Sequence, residues 1–357
     1  MELTTVWFGL IAILWIGYFL LEGFDFGVGI LMPFLGRSDA DRGALIRTIG
    51  PVWDGNEVWV LVAGGATFAA FPEWYATLFS GFYLPLFLIL VGLIVRGVAI
   101  EYRNKRPETA WHRRWDAGIF VGSLVPAILW GVAFANIVAG VPIDAQHHFT
   151  GDVLTLLNPY ALLGGLTTLG LFITHGAAFL ALKTEGVLRL RANALVGRVG
   201  LAAAVAAVAF LGWTEIRDGD PGSAAVSVLA AAALVAGLLA NRRGREALAF
   251  AGTGVAIVLA VVALFVALFP DVMPSSTDPA FSLTTTNAAS TSYTLSIMTV
   301  VAVVFTPLVL LYQGWTYWVF RHRVTADRVA VRPAVGPGDA AGGSSAPSAP
   351  ASASEPA

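Results

Sequence analysis

The chain contains no cysteine, which excludes disulfides, thiolate-bound iron–sulfur clusters and cysteine zinc sites. Charged residues are also scarce. They make up 12% of the 357 residues, against about 25% in an ordinary soluble domain. Hydrophobic residues account for 57% of the chain. Together these figures exclude a soluble protein and indicate one that crosses a membrane several times.

Histidine occurs five times, and its distribution limits the haem and metal chemistry available. Four of the five fall in predicted loops or in the C-terminal tail: His112, His147, His148 and His322. A bis-histidine haem site needs two ligands that face each other across a bundle, and this chain alone does not supply them. A single axial haem ligand at His175, the histidine inside a predicted span, stays open. The pattern favours a hydrogen-bonded polar residue at a helix contact instead.

Apolar runs of about 20 residues can cross the roughly 30 Å hydrocarbon core of a bilayer. Nine such segments are predicted: 5–34, 51–70, 76–100, 116–139, 159–182, 195–214, 222–240, 246–269 and 294–320. The first is not a cleavable signal peptide, because no basic region precedes it and its apolar run is too long. The sixth and seventh are separated only by the polar turn TEIRDGDPG at 214–222.

Lys and Arg residues fall almost entirely on one side of this predicted topology. All but three of the 21 lie in segments that join an odd-numbered span to the next span, or in the C-terminal tail. Of the three, Arg217 lies on the opposite side, and Arg96 and Arg198 lie within spans. Because loops rich in Lys and Arg stay in the cytoplasm, the N-terminus is predicted outside and the C-terminus in the cytoplasm. The asymmetry also supports nine spans, since losing one would mix the two sides.

Composition divides the chain into two parts. Residues 1–322 hold all the predicted spans and form one transmembrane domain. Residues 323–357 form a cytoplasmic tail, in which 333–357 consists mainly of Pro, Ala, Ser and Gly. Such a stretch cannot bury a hydrophobic core, so the tail is predicted to be disordered.

The most informative feature is a set of ionisable residues in or beside the first three predicted spans: Glu22, Asp25, Asp54, Glu57, Arg96 and Glu101. A charge in hydrocarbon costs between about 2.5 and 17 kcal/mol, depending on the method. The first two spans each carry two of the acids three residues apart, so each pair shares a helix face. The predicted orientation puts all six residues toward the cytoplasmic side. Asn56 and Trp53 lie beside the second pair.

Two interpretations of this set stay open. In one, Arg96 centres an ion-pair cluster that fixes helix packing. In the other, which the charge balance favours, the carboxyl groups form a hydrated path open to the cytoplasm or meet a charge of a partner chain. One guanidinium cannot neutralise four carboxylates, so some must be protonated, hydrated or paired with another chain.

Several stretches are similar to one known family. They are EGFDFGVG (22–29), the long block around WDGNEVW (50–86), RGVAIEYR (96–103), RWDAGIFVGSLVPAILWGVAFAN (114–136), FPDVMPSS (269–276) and FTPLVLLYQGWTYWVF (305–320). Through these stretches the chain resembles subunit II of the cytochrome bd quinol oxidases. The resemblance covers about residues 1–322 and is weaker at 185–268.

The resemblance implies an all-α polytopic bundle of two four-helix bundles plus one further helix. It implies a complex in the bacterial cytoplasmic membrane that oxidises quinol and reduces dioxygen to water. The haems b and d of that complex would be ligated by subunit I, the main expected partner. Small accessory subunits, membrane lipids and a quinone bound in this subunit are further expectations, and no nucleic-acid partner is expected.

The resemblance also implies that Asp25 and Asp54 lie on or near a proton route from the cytoplasm. Our hypothesis is that these two residues relay protons, with Glu57 and Glu22 assisting. The geometry and charge balance of the set would be held by Arg96, Glu101, Asn56 and Trp53. Two alternatives from other classes are a stand-alone proton-coupled transporter, which buried carboxylates would also fit, and a subunit that serves assembly alone.

Overall fold

The computed structural model describes residues 2–325. Most of the predicted tail, 326–357, lies outside the described residues. The helices in chain order are α1 (Leu3–Leu35), α2 (Asp39–Ile49), α3 (Trp53–Ala70), α4 (Pro72–Gly81), α5 (Tyr83–Tyr102), α6 (Thr109–Ala139), α7 (Pro159–Lys183), α8 (Gly186–Asp218), α9 (Pro221–Arg242), α10 (Glu246–Leu268) and α11 (Ser292–Val319). Short 3₁₀ turns at Arg103–Lys105 and Pro279–Phe281 accompany them, and β1 (Asp271–Met273) pairs antiparallel with β2 (Leu283–Thr284).

The prediction of an all-α membrane bundle is confirmed. Eight helices among the described residues are long and apolar enough to cross a membrane: α1 and α5 through α11. The predicted second span coincides with α3, which is not among the eight. Its first turns carry Asp54, Asn56 and Glu57, which lower its apolar content. The number of spans and the orientation therefore stay predictions.

The break between α8 and α9 lies where the polar turn predicts it. The backbone leaves the helix at Gly219, and Asp220 caps α9 by accepting a hydrogen bond from the amide of Gly222 at 2.5 Å. The Ser223 hydroxyl in turn accepts a hydrogen bond from the Asp220 amide at 2.9 Å, which completes a capping box. Pro221 stands at the first helical position, where its missing N–H costs nothing.

Two features of the first third of the chain were not predicted. One is α2, a polar helix whose N-cap Ser38 forms a capping box with Asp41. The other is a break inside the predicted span 76–100, where α4 ends at Gly81 and α5 begins at Tyr83. Phe82 at this break is fully buried, so the chain turns there with an apolar side chain pointing inward.

The long helices form two groups of four. One consists of α1, α3, α5 and α6, and the other of α7, α8, α9 and α10. The groups meet where α1 and α6 pack on α7, and α1 crosses α7 closely. At that crossing, a Cβ on Gly27 would lie 2.8 Å from the Cα of Gly176, a distance that only glycine allows. Small residues permit such close helix approach in membranes, and here they bring α1 to the centre of the molecule.

An aromatic core surrounds the middle of α1. The ring of Trp15 lies 4.9 Å from the rings of both Trp130 and Phe134, measured between centroids. The Trp130 indole donates a hydrogen bond to the hydroxyl of Tyr18 at 3.0 Å. All of these side chains are buried. This packing holds α1 in place just before its Glu22, so the acidic residues that follow are held rigidly.

The last helix lies apart from both groups. It runs beside α1 and α3, and Leu295 is its one buried residue. The Trp7 indole ties it to α1 by donating to the Thr299 hydroxyl at 3.1 Å. After it, Arg323 pairs with Glu246 of α10 at 2.8 Å. The predicted domain boundary after residue 322 stays a prediction.

Candidate functional site

A buried cluster of polar residues lies between α1, α3 and α5. It consists of Glu22 and Asp25 from α1, Asn56 and Glu57 from α3, and Arg96 from α5, and we call it the carboxylate cluster. All but Glu57 are 0% exposed, and the Glu57 side chain is 24% exposed. The structure therefore brings together three of the predicted acids, from two helices, and the predicted arginine of a third.

Arg96 lies between two carboxylates. Its Nη2 pairs with Glu22 and also donates to Glu57 Oε2 at 2.8 Å. The guanidinium carbon lies 4.8 Å from the centre of the Phe26 ring and 6.0 Å from that of Trp53. Aromatic faces attract a cation while excluding water. The predicted structural role of Trp53 thus has a contact that fits it.

Asp25 has a different partner. The Asn56 side chain donates from Nδ2 to Asp25 Oδ2 at 2.7 Å. The other oxygen, Oδ1, is buried and makes no hydrogen bond to any described residue. The carboxylate cluster therefore has two halves. In one, Arg96 pairs with carboxylates, and in the other, Asp25 accepts a hydrogen bond from an amide.

Asp54 lies outside the buried cluster. It is exposed, and its Oδ1 accepts a hydrogen bond from the amide of Gly55 at 2.8 Å. It lies one turn before Glu57 on the same helix. The α3 acids thus run from an exposed carboxylate to a partly exposed one, next to the buried carboxylate of Glu22.

The expectation that Glu101 joins the other acids is wrong, because its side chain lies on another face of α5. Glu101 is exposed and has no ion pair among the described residues. It follows Arg96 by five residues, which at about 100° per residue places it some 140° away around the helix. Similar depth in the membrane was predicted from sequence, but the helix face was not.

Sequence reasoning missed a second charged network, beyond the end of α5. The buried Arg103 donates to Asp116 of α6 at 2.6 Å and to Asp39 of α2 at 2.6 Å. Arg42 also pairs with Asp116 at 3.0 Å, and His112 lies 2.9 Å from Asp39. Partial burial raises the pKa of Asp39, but the bonds from Arg103 and His112 outweigh it and hold that pKa below its usual range.

Two residues of α11 that were not singled out reach the carboxylate cluster. The Tyr317 hydroxyl donates to Asn56 Oδ1 at 2.7 Å, and Gln313 Nε2 lies 3.4 Å from the same oxygen. On the other side of Gln313, the Trp59 indole donates to its Oε1 at 2.9 Å. The polar residues of the motif YQGWTYW are the sequence feature that could have indicated this contact. Their partner on α3 could not be predicted, because the two segments are far apart in sequence.

His175 does not provide a place for a haem. Its Nδ1 lies 2.8 Å from the Thr253 hydroxyl, and its ring stacks on Phe250 with 4.5 Å between centroids. A Cβ on Gly254 would lie 3.4 Å from the ring and 3.0 Å from Leu20. An axial ligand needs an open face and room for a porphyrin, so the residues here do not fit one. Nor does any cluster of three His, Asp or Glu in residues 2–325 suit a metal ion.

Comparisons with known proteins agree with this architecture. The family described as cytochrome bd terminal oxidase subunit II matches residues 3–320. Cytochrome bd ubiquinol oxidase subunit 2 of Bacillus subtilis is 40% identical over 91% of this chain and 97% of its own length. Cytochrome bd-I ubiquinol oxidase subunit 2 of Escherichia coli is 37% identical over 91% and 96%.

A solved bd oxidase from Geobacillus thermodenitrificans has the same fold. Its chain superposes with a TM-score of 0.75 at 17% identity, covering 90% of this chain and 99% of that one. The resemblance seen in the sequence motifs is thereby confirmed. The chain belongs to the cytochrome bd terminal oxidase subunit II family.

Proposed function

We propose that this chain is the partner of a haem-bearing subunit I in a terminal oxidase that oxidises quinol and reduces dioxygen to water. The observation that carries the proposal is family membership over residues 3–320. As a member of that family, the chain is a multi-pass subunit of an oxidase complex in the bacterial cytoplasmic membrane. The family assignment leaves the stand-alone transporter without support.

In this proposal the haems b and d lie in subunit I. They would supply electron transfer from quinol and the reduction of dioxygen. The packed surroundings of His175 support their placement in the partner. Small accessory subunits stay a prediction.

A quinone bound in this chain also stays a prediction. A groove of about 420 Å³ between α9 and α10 is lined mainly by Ala and Gly, with Arg243 and Arg245 among its lining residues. Its apolar lining fits an isoprenoid chain, and the arginines can donate hydrogen bonds to a carbonyl oxygen.

The role proposed for the carboxylate cluster and Asp54 is proton transfer from the cytoplasmic side. The support is the order of exposure: Asp54 is exposed, Glu57 is 24% exposed, and Glu22 and Asp25 are fully buried. Glu22 and Glu57 share one buried guanidinium, and the buried Asp25 has only an amide donor, so the three carboxyl groups cannot all be ionised at low cost. A carboxyl group that holds a proton part of the time can pass it on. Arg96 would hold the geometry of the path.

The complex itself can be tested by purification through a tag on this chain. We expect the dithionite-reduced minus oxidised spectrum to contain b-type and d-type haem bands, and a second chain to co-purify and carry them. A haem-free preparation without a partner in mild detergent would contradict the proposed complex.

The proton path can be tested with Asp54→Asn in the assembled complex. An amide cannot carry the proton, so we expect oxidase turnover to fall by a factor on the order of 100 while haem content stays unchanged. Asp218→Asn, at the exposed end of α8, is the matched control and should turn over normally. Normal turnover and pH dependence in Asp54→Asn would remove that residue from the path. Loss of haem in the variant would instead indicate the assembly role.

A further inference from the structure

A row of hydrogen bonds runs from α3 through α11 and back to Asp25. At its first end, Trp59 Nε1 lies 2.9 Å from Gln313 Oε1. An indole N–H can only donate, so the side-chain oxygen of Gln313 must face Trp59. The amide nitrogen of Gln313 then faces Asn56, whose Oδ1 is 3.4 Å away. The Trp59 indole has no acceptor atom, so at this end every hydrogen bond of the row must donate from Trp59 toward Asn56.

The other end of the row has the same polarity. Asn56 Nδ2 lies 2.7 Å from Asp25 Oδ2 and 3.4 Å from the main-chain oxygen of Leu21. A carbonyl oxygen can only accept, so the nitrogen of Asn56 must face α1. Reversing this amide would set its oxygen against Leu21 and Asp25, and its nitrogen against the nitrogen of Gln313. The Tyr317 hydroxyl, which can donate or accept, follows this polarity and donates to Asn56 Oδ1 at 2.7 Å.

Because the hydrogen bonds run in this direction, the two oxygens of Asp25 have different surroundings. Oδ2 receives the N–H of Asn56, while Oδ1 is buried without a hydrogen bond to any described residue. We propose that Trp59, Gln313 and Tyr317 are positioning residues that fix the Asn56 amide, so that Asp25 gains and loses its proton at Oδ1. The inference rests on the proposed proton path, and it adds which atom carries the proton and which residues set it.

The carboxylate of Asp25 is also surrounded by charged and titratable groups on α1, α3, α5 and α11. These are Glu22, Asp54, Glu57, Arg96 and, through Asn56, Tyr317. Only Tyr317 of these belongs to α11. Variants on α11 therefore act on the Asn56 amide, which donates to Asp25. They leave the carboxylates and the guanidinium in place.

The test uses the complete complex with Gln313→Leu and Tyr317→Phe, alone and combined. Each removes a donor that holds the Asn56 oxygen, so the amide is held less firmly against Asp25. A hydrogen bond to a carboxylate favours the ionised form. With that bond weakened, Asp25 keeps its proton to higher pH, and we expect the pH dependence of turnover to move upward by about one pH unit.

A direct readout is the infrared C=O band of the protonated carboxyl, assigned by its absence in Asp25→Asn. Its midpoint should move to higher pH by the same amount. Tyr312→Phe, an exposed tyrosine of α11, is the control for Tyr317→Phe. Trp7→Phe removes another indole tie between α11 and the bundle, so it controls for loose docking of the helix. Both controls should keep the parental midpoint.

The outcomes separate the inference from the path on which it rests. Slow turnover in Asp25→Asn together with unshifted profiles in the α11 variants would overturn the positioning role. Normal turnover in Asp25→Asn would overturn the path and the relay role of Oδ1, and the infrared midpoint would still decide the orientation of Asn56. If the combined variant fails to assemble, Trp59→Phe removes only the first donor and must give a shift in the same direction.

Discussion

At the scale of single residues, Arg96 is the cation that the paired carboxylates of the site depend on. Its guanidinium is 0% exposed and pairs with Glu22, also 0% exposed, and with Glu57. Desolvating such charges costs several kcal/mol per ion, which their mutual attraction offsets only if the pairing stays intact. The ion-paired half of the carboxylate cluster is thus stable as a unit and costly to break singly.

Arg96→Met should destabilise the complex by about 3–5 kcal/mol, because the buried carboxylate of Glu22 and the partly exposed one of Glu57 lose their common cation. The measurement is the free energy of unfolding by detergent titration. Adding Glu22→Gln should recover part of the loss, since it removes one of the unpaired charges. Arg198→Met is the matched control: it removes an arginine in a predicted span that is exposed, and should change stability by less than about 0.5 kcal/mol. Equal losses in both would contradict the buried pairing.

Residue positions in this cluster could be predicted from sequence only in part. The spacing of Glu22 and Asp25, with Arg96 at similar depth, indicates that they meet. Glu101 has similar depth but the wrong helix face, which depends on how α5 is rotated against its neighbours. Tyr317 could not be predicted, because its contact with Asn56 depends on where the last helix docks.

At the scale of elements, the charged network beyond α5 joins three helices at one end of the molecule. Arg103 follows α5, Asp116 lies in α6, and Asp39 opens α2. The Arg103 side chain is 1% exposed and that of Asp39 is 58% exposed. The pair with Asp39 is therefore screened by solvent and contributes no more than about 1 kcal/mol, while Asp116 holds the buried side of the guanidinium.

The contribution of Asp39 should depend on pH. Its carboxyl in the unfolded chain titrates near about 3.9, and its folded-state pKa is lower. The pairing therefore adds stability that is fully present above that pH and is lost as the pH falls through the folded-state pKa. We expect Asp39→Asn to lower the thermal unfolding temperature at neutral pH, and the difference from the parent to shrink below about pH 4. Glu108→Gln changes an exposed acid that has no ion pair among the described residues, so it should show no difference at either pH. A constant difference for Asp39→Asn would contradict the assignment.

The ends of helices were predictable where the sequence contains residues that favour turns and helix caps. The break at Asp220 follows from a Gly, a capping Asp and a Pro in succession. The break at Phe82 lacks a capping Asp, and its Gly81 and Pro85 stand farther apart, on either side of the apolar residues Phe82, Tyr83 and Leu84. α2 was missed because a short polar helix resembles a loop when only apolar runs are sought.

At the scale of the whole molecule, α3, α5 and α11 carry apolar side chains that nothing in residues 2–325 covers. Leu61 of α3, Ile94 of α5 and Leu311 of α11 are 67%, 56% and 71% exposed. Such a surface fits lipid or another membrane chain. The exposed carboxyl of Asp54 also lies on α3. A carboxylate is costly against lipid, which favours water or a partner subunit at that end of the helix.

The proposed direction of proton entry depends on the orientation of the chain, and the absence of cysteine makes this measurable. Ala145→Cys, in the loop between α6 and α7, and Glu108→Cys, just before α6, are both exposed. The excess of Lys and Arg predicts the first outside and the second in the cytoplasm. A membrane-impermeant maleimide should label Ala145→Cys in intact cells, and Glu108→Cys only after permeabilisation. The reverse pattern would open Asp54 to the outside, and protons for the oxidase could then not enter from the cytoplasm by this path.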